Sequence, residues 1–131
     1  MAKTSSKTKE ALRMVMVEAS GKALGRVSSE IAFILQGKDL PSYLPYKDGG
    51  TTVHVNNFKE MTFSGKKMTD KLYHHFSGYP GGIRTRSLKE LWAKDPADVL
   101  RRSVYGMLPK NKLRDIQIKR IVFVENKDKK V

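Results

Sequence analysis

Two short apolar runs near the ends of the chain limit what it can fold into. Met14-Val15-Met16-Val17 and the segment from Arg120 to Val124 are continuous rather than alternating, the pattern of strands covered on both faces of a sheet. After the first run, Ser20 and Gly21 turn the chain into a helix whose Leu24, Val27, Ile31, Ile34 and Leu35 share one stripe, with Gly37 as the expected stop. This is a β-α opening.

Residues 37–51 follow as a loop too long for a mere connector, with Pro41, Pro45, Gly49 and Gly50 interleaved with Lys38, Tyr43, Tyr46 and Lys47. Val53 and Val55 then alternate with Thr52 and His54, a strand with one face buried. Asn56 and Asn57 lead through a helical turn to a third strand at Met61 and Phe63, which ends in Ser64-Gly65-Lys66-Lys67, and a fourth runs from Lys71 to Phe76. Beyond the glycines at 78–82 the pattern changes to helices. Ser87-Leu88-Lys89-Glu90 matches a capping box with Leu88, Leu91 and Trp92 on the buried side. Asp95-Pro96 supplies an N-cap and first-turn proline for a second helix with Ala97, Leu100, Val104, Met107 and Leu108 as its stripe, ended by Pro109. Lys110 to Arg114 form a basic elbow before the last strand.

The order β-α-β-β-β-α-α-β gives an α/β fold: one three-layer α/β/α domain over residues 1–131, with helices on both faces of a mixed or parallel sheet of about four strands. Residues 1–13 and 125–131 are expected to be basic, flexible tails.

The function lies first in His74-His75-Phe76-Ser77-Gly78-Tyr79-Pro80-Gly81-Gly82-Ile83-Arg84-Thr85-Arg86. Three glycines and a proline in five residues allow positive φ and a close backbone approach. Tyr73, His74, His75, Phe76 and Tyr79 offer ring faces on one side, and Arg84 and Arg86 offer planar forks suited to phosphate oxygens on the other. Stacking beside phosphate neutralisation points to RNA more than DNA. The plainer reading is a hairpin with core aromatics and solvated arginines.

Charge favours the nucleic-acid reading. The chain holds 26 Lys and Arg against 13 Asp and Glu, a formal net charge of +13, and an excess of that size attracts polyanions. It is concentrated late: residues 83–131 carry 14 basic and 6 acidic side chains, against 8 and 5 in residues 1–50. On the second helix Arg101, Arg102 and Tyr105 share a face opposite the apolar stripe, the usual solvated face of an amphipathic helix unless Lys110, Lys112 and Arg114 extend it in space.

Chemistry finds little footing. There is no cysteine, hence no disulfide and no thiolate zinc site. Gly65-Lys66 has Glu60 where a P-loop needs its first glycine and Lys67 where it needs a hydroxyl, and no Gly-x-Gly-x-x-Gly sits at a strand-to-helix junction. His74 and His75, adjacent on a strand, point to opposite faces and are poorly placed to share a metal, while His54 reads as structural. Ser77 lacks a nucleophile elbow and a third partner. No cofactor, metal or small-molecule substrate is expected, and no run is long and apolar enough to span a bilayer.

Gly-Lys-Ala-Leu-Gly-Arg at 21–26, His75-Phe76-Ser77-Gly78-Tyr79-Pro80-Gly81-Gly82 and Gly-Met-Leu-Pro-Lys-Asn at 106–111 resemble, in order and spacing, the bacterial-type large-subunit ribosomal proteins of the L13 family. The resemblance covers about residues 14–124. It implies a cytoplasmic, ribosome-bound protein without enzymatic activity that binds large-subunit ribosomal RNA, joins assembly early and touches neighbouring large-subunit proteins. The chain departs from the pattern at His74-His75-Phe76, at Leu113-Arg114-Asp115 where members carry Leu-Gly-Arg, and at Asn126 to Val131, which stand in place of a His/Pro-rich extension. The candidate RNA contacts are Arg26, Lys38, Lys66, Lys67, His74, His75, Ser77, Gly78, Tyr79, Gly81, Gly82, Arg84, Arg86, Arg101, Arg102, Lys110, Asn111, Lys112 and Arg114. Two alternatives stand beside this reading: a nucleotide-dependent enzyme with Gly78 to Gly82 as phosphate cradle, and a translational repressor binding its own message through the same surface.

Overall fold

A computed structural model of the protein describes residues 13–125; the expected N-terminal arm and C-terminal tail lie almost wholly outside the described residues. Strand β1 (Met14–Glu18) leads into helix α1 (Leu24–Gln36), and β2 (Thr52–Asn56) then pairs parallel to β1. The last strand, β5 (Ile121–Val124), pairs parallel to β2 on its other side, giving the order β1-β2-β5. Between β2 and β5 come a 3-10 turn at Phe58–Glu60, helix α2 (Lys67–Asp70), a hairpin of β3 (Leu72–Phe76) and β4 (Ile83–Ser87), and helices α3 (Leu88–Lys94), α4 (Pro96–Met107) and α5 (Lys112–Ile118).

The α/β class expected from the sequence holds, and the helix signals act as read. The expected stripe of α1 is buried, and Gly37 closes the helix by donating its N–H to the Ile34 carbonyl at 3.0 Å. Ser87 Oγ accepts from Glu90 N–H at the start of α3, and Asp95 Oδ1 accepts from Ala97 N–H at 3.0 Å at the start of α4. The buried side of α4 is Val99, Leu100 and Val104, followed by Leu108, whereas Met107, expected in the stripe, is exposed beside Ser29. Val99, Leu100, Val104 and Leu108 join Val17, Val27, Ile31, Leu35, Val53, Val55 and Ile121 in one core cluster.

Three expectations are corrected. Met61 to Phe63 form no strand: the positive φ of Asn57 (53°) and the 3-10 turn redirect the chain. Only a bridge between Ala23 and Thr62 remains, with Met61 buried and Phe63 edge-to-face on Trp92, centroids 4.9 Å apart. The segment from Lys71 to Phe76 does not extend the sheet but pairs with β4, a strand hidden in the sequence because Ile83-Arg84-Thr85-Arg86-Ser87 has one apolar residue. Third, β1 and β5 are covered on one face only among the described residues. Val15, Val17, Val53, Val55, Ile121 and Phe123 face the helices, while Met14, Met16 and Val122 are exposed.

The long loop is tied down at both ends by ion pairs. Arg13 and Asp39 link its start to the residue before β1, and Arg120 and Asp48 link its end to the residue before β5. Hydrogen bonds from Arg13 are the largest influence on the Asp39 carboxyl and hold it below its ordinary value; burial opposes them, and the Arg13 charge adds a smaller lowering effect. For Asp48 burial is the largest influence and pushes the carboxyl up, but the Arg120 hydrogen bonds, the Gly50 N–H and the Arg120 charge together bring it below 3.8. A carboxylate whose folded pKa lies below its unfolded value stabilises the fold above the unfolded value and loses that contribution as pH falls through the folded one. Thermal midpoints are therefore expected to hold from neutral pH to about 4 and then drop, and Asp48→Asn should reduce the size of that acid drop in a melting series.

Candidate nucleic-acid interface

The hairpin carries its residues by strand alternation. Tyr73 pairs with Arg86 and His75 with Arg84, so these four share one face, while Leu72, His74, Phe76, Ile83 and Thr85 lie on the other. His74 Nδ1 and Thr85 Oγ1 are 3.0 Å apart across the strands, although both histidines border the cavity at the base of the hairpin.

The tip is a type II arrangement. Gly82 N–H donates to the Tyr79 carbonyl at 2.9 Å, Pro80 holds the first central position, and Gly81 takes the positive φ (71°) of the second. Ser77 N–H donates to the Gly82 carbonyl at 3.1 Å and closes the loop. Space around Gly81 is open, so its requirement is conformational. Gly82 is constrained by crowding: a Cβ there would lie 2.8 Å from the Tyr79 carbonyl oxygen and 2.1 Å from Ser77 Oγ. Gly82→Ala is accordingly expected to move the amide resonances of residues 77–82 while leaving the melting midpoint nearly unchanged, since the tip is exposed and contributes no core residue.

The base of the hairpin meets α4. Tyr73, His74, His75, Arg84, Arg86, Leu91 and Arg102 line a cavity of about 280 Å³. Tyr73 and Arg102 also line a neighbouring cavity of about 430 Å³ with Asp98, Arg101, Tyr105 and Ile118. The Arg102 guanidinium lies 6.0 Å from the Tyr73 ring centroid, with its Nε donating to Asp98 Oδ2 at 2.8 Å. Arg101 sits over Phe123 at 5.3 Å, and Arg114 stacks on Tyr105 at 3.9 Å while the tyrosine hydroxyl donates to Asp115. A continuous strip of planar cations and rings thus runs from the hairpin across α4 to α5.

Other candidates sit around this strip. The expected elbow at 110–114 is the start of α5: Asn111 is its N-cap, its Oδ1 accepting from Arg114 N–H at 3.2 Å, and Lys110 and Lys112 flank it, exposed. Lys38 lines a further cavity with Phe33 and Met107 at the far end of α4. Lys66 and Lys67 are exposed at the start of α2, which packs on α3 and β4, and Arg26 is exposed on α1; none of these three lines either cavity of the strip. Lys71, passed over in the sequence, lies 5.3 Å from the Tyr73 ring centroid. Its signal was the strand period, two residues before Tyr73 on the same face.

No cluster of three or more metal-ligating side chains exists among the described residues, and no described helix is long and apolar enough to cross a membrane. What the site offers is cations, rings and glycine backbone, the composition of a surface that grips a polyanion with irregular bases. Fold and charge together define a small basic α/β protein.

The sequence profile of the family described as Ribosomal protein L13 matches residues 12–130. Proteins named "Large ribosomal subunit protein uL13" are similar: that of Syntrophus aciditrophicus is 46% identical over 98 residues, 75% of this chain and 69% of the relative. Those of Clostridioides difficile (43% over 106 residues, 81% and 74%) and Pseudomonas paraeruginosa (45% over 109 residues, 82% and 77%) are alike. The chain belongs to the ribosomal protein L13 family, and its role is structural, not enzymatic. The nucleotide-dependent enzyme is thereby set aside.

Proposed function

We propose that this protein is a constituent of the large ribosomal subunit, folded as a single domain, that binds large-subunit ribosomal RNA, supports early subunit assembly in the cytoplasm and touches neighbouring subunit proteins. The observation that carries the reading is the continuity of the strip. Through Tyr73 and Arg102, arginines of the hairpin and arginines of α4, far apart in sequence, line adjoining cavities. In this reading Arg84, Arg86, Arg101, Arg102 and Arg114 neutralise phosphates, and His74, His75 and Tyr79 stack on or bond to bases. The glycine tip, Ser77-Gly78 and Gly81-Gly82, comes close to the RNA backbone, and Arg26, Lys38, Lys66, Lys67, Lys110, Asn111 and Lys112 extend the contact at its edges. The names of the relatives support the subunit assignment.

Neutralised phosphates release counterions, so affinity must fall with salt. With about five contacts, filter binding to large-subunit RNA fragments is expected to give a log-log slope of roughly −3 to −5. A slope near zero would remove the electrostatic basis of the proposal.

A further inference from the structure

The parallel sheet has a face that no described helix reaches. Both crossovers, from β1 to β2 and from β2 to β5, step the same way across the sheet, and right-handed crossovers that do so lay their helices on one side. On the other side the register sets Met16, His54 and Val122 in a row across all three strands, with Met14 beside it. Met14 and Met16 are 64% and 66% exposed and Val122 is 40% exposed. Parallel sheets occur almost only with both faces covered, usually by helices, so this row is unusual in being bare.

The possible covers differ in chemistry. Residues 1–12 and 126–131 flank β1 and β5 and are mostly polar in sequence, with Met1, Leu12 and Val131 as their large apolar side chains. RNA fits poorly: none of the outward positions of the three strands is Lys or Arg, although the chain holds 26 of them. A second copy would bring another charge of +13 against the first. Methionine side chains, unbranched and polarizable, adapt to an apolar partner. We propose that this face is the seat of an amphipathic helix from another protein of the same particle, so that the domain holds RNA on its helical side and a protein on its bare sheet.

This inference rests on the ribosomal reading above, and the absence of cysteine gives it a clean test. Met16→Cys supplies a sole thiol at an exposed position, and Ser77→Cys supplies one at the tip. Each variant is treated with a fluorescent maleimide as free protein and within purified large subunits. The expected result is ready labelling of Cys at position 16 in the free protein and its loss in the subunit. In a parallel preparation, p-benzoylphenylalanine in place of Met14 is expected to crosslink to a species removed by protease and resistant to ribonuclease. Labelling that persists in the subunit overturns the proposal, as does a ribonuclease-sensitive crosslink. Protection already present in the free protein also overturns it, because the chain's own flanks would then be the cover. Protection at position 77 with persistent labelling at position 16 leaves the RNA reading standing and removes this one alone; failure of the unaltered chain to sediment with large subunits removes both.

Discussion

Leu100→Ala is expected to lower stability by about 2–5 kcal/mol, the range for truncating a leucine in a core that relaxes only partly. Leu100 is fully buried on the inner side of α4, in the core cluster that also holds α1 and the sheet. Truncation removes apolar area and leaves a cavity between α4 and its neighbours, and α4 carries Arg101 and Arg102 on its other side. In a chain of this size the midpoint should fall by on the order of 10 °C. RNA affinity measured well below the new midpoint should be nearly that of the unaltered protein, because no interface side chain has changed. An affinity loss at a temperature where the variant is fully folded would mean that core packing sets the interface geometry directly.

The opposite pattern is expected of Arg84→Ala combined with Arg86→Ala. Both side chains are exposed on the hairpin and neither belongs to the core, so the melting curve should barely move. Two phosphate contacts are lost, which should weaken binding across RNA sequences alike and flatten the salt slope by about 1 to 2. Arg101→Ala with Arg102→Ala should act in the same direction, since Arg102 lines the cavity that holds the hairpin arginines. If the hairpin pair leaves affinity and slope unchanged while the α4 pair abolishes binding, the interface is confined to α4 and α5, and the hairpin is only a connection.

Elements specified by near neighbours were legible in the sequence. The stripe and glycine stop of α1, the serine cap of α3 and the Asp95-Pro96 start of α4 stand where local rules put them, because a helix is defined within a few residues by its own hydrogen bonds. The glycine tip was legible for the same reason: a turn with Pro80 and Gly81 at its centre needs no distant partner. Candidate interface residues were found by type, as arginines near aromatics and glycines, while their union into one strip was not. That depends on Tyr73 reaching Arg102 across the fold.

Sheet membership escaped the sequence because a strand leaves half of its definition to its partner. Met61 to Phe63 has strand-forming residues but no ladder, and Ile83 to Ser87 has almost no apolar signal yet pairs along its whole length with Leu72 to Phe76. α5 was read as an elbow because Lys112-Leu113-Arg114-Asp115 looks like charged loop until Asn111 caps it. Coverage of the sheet was misread for a related reason. An apolar run says that a strand wants both faces buried, but the number of layers follows from the order and hand of the crossovers, and here both fall on one side. Local sequence thus set the helices, caps, turn and basic character of the chain. Long-range pairing, which no local rule contains, decided which strands form the sheet, brought the hairpin against α4, and left Met14, Met16 and Val122 facing outward.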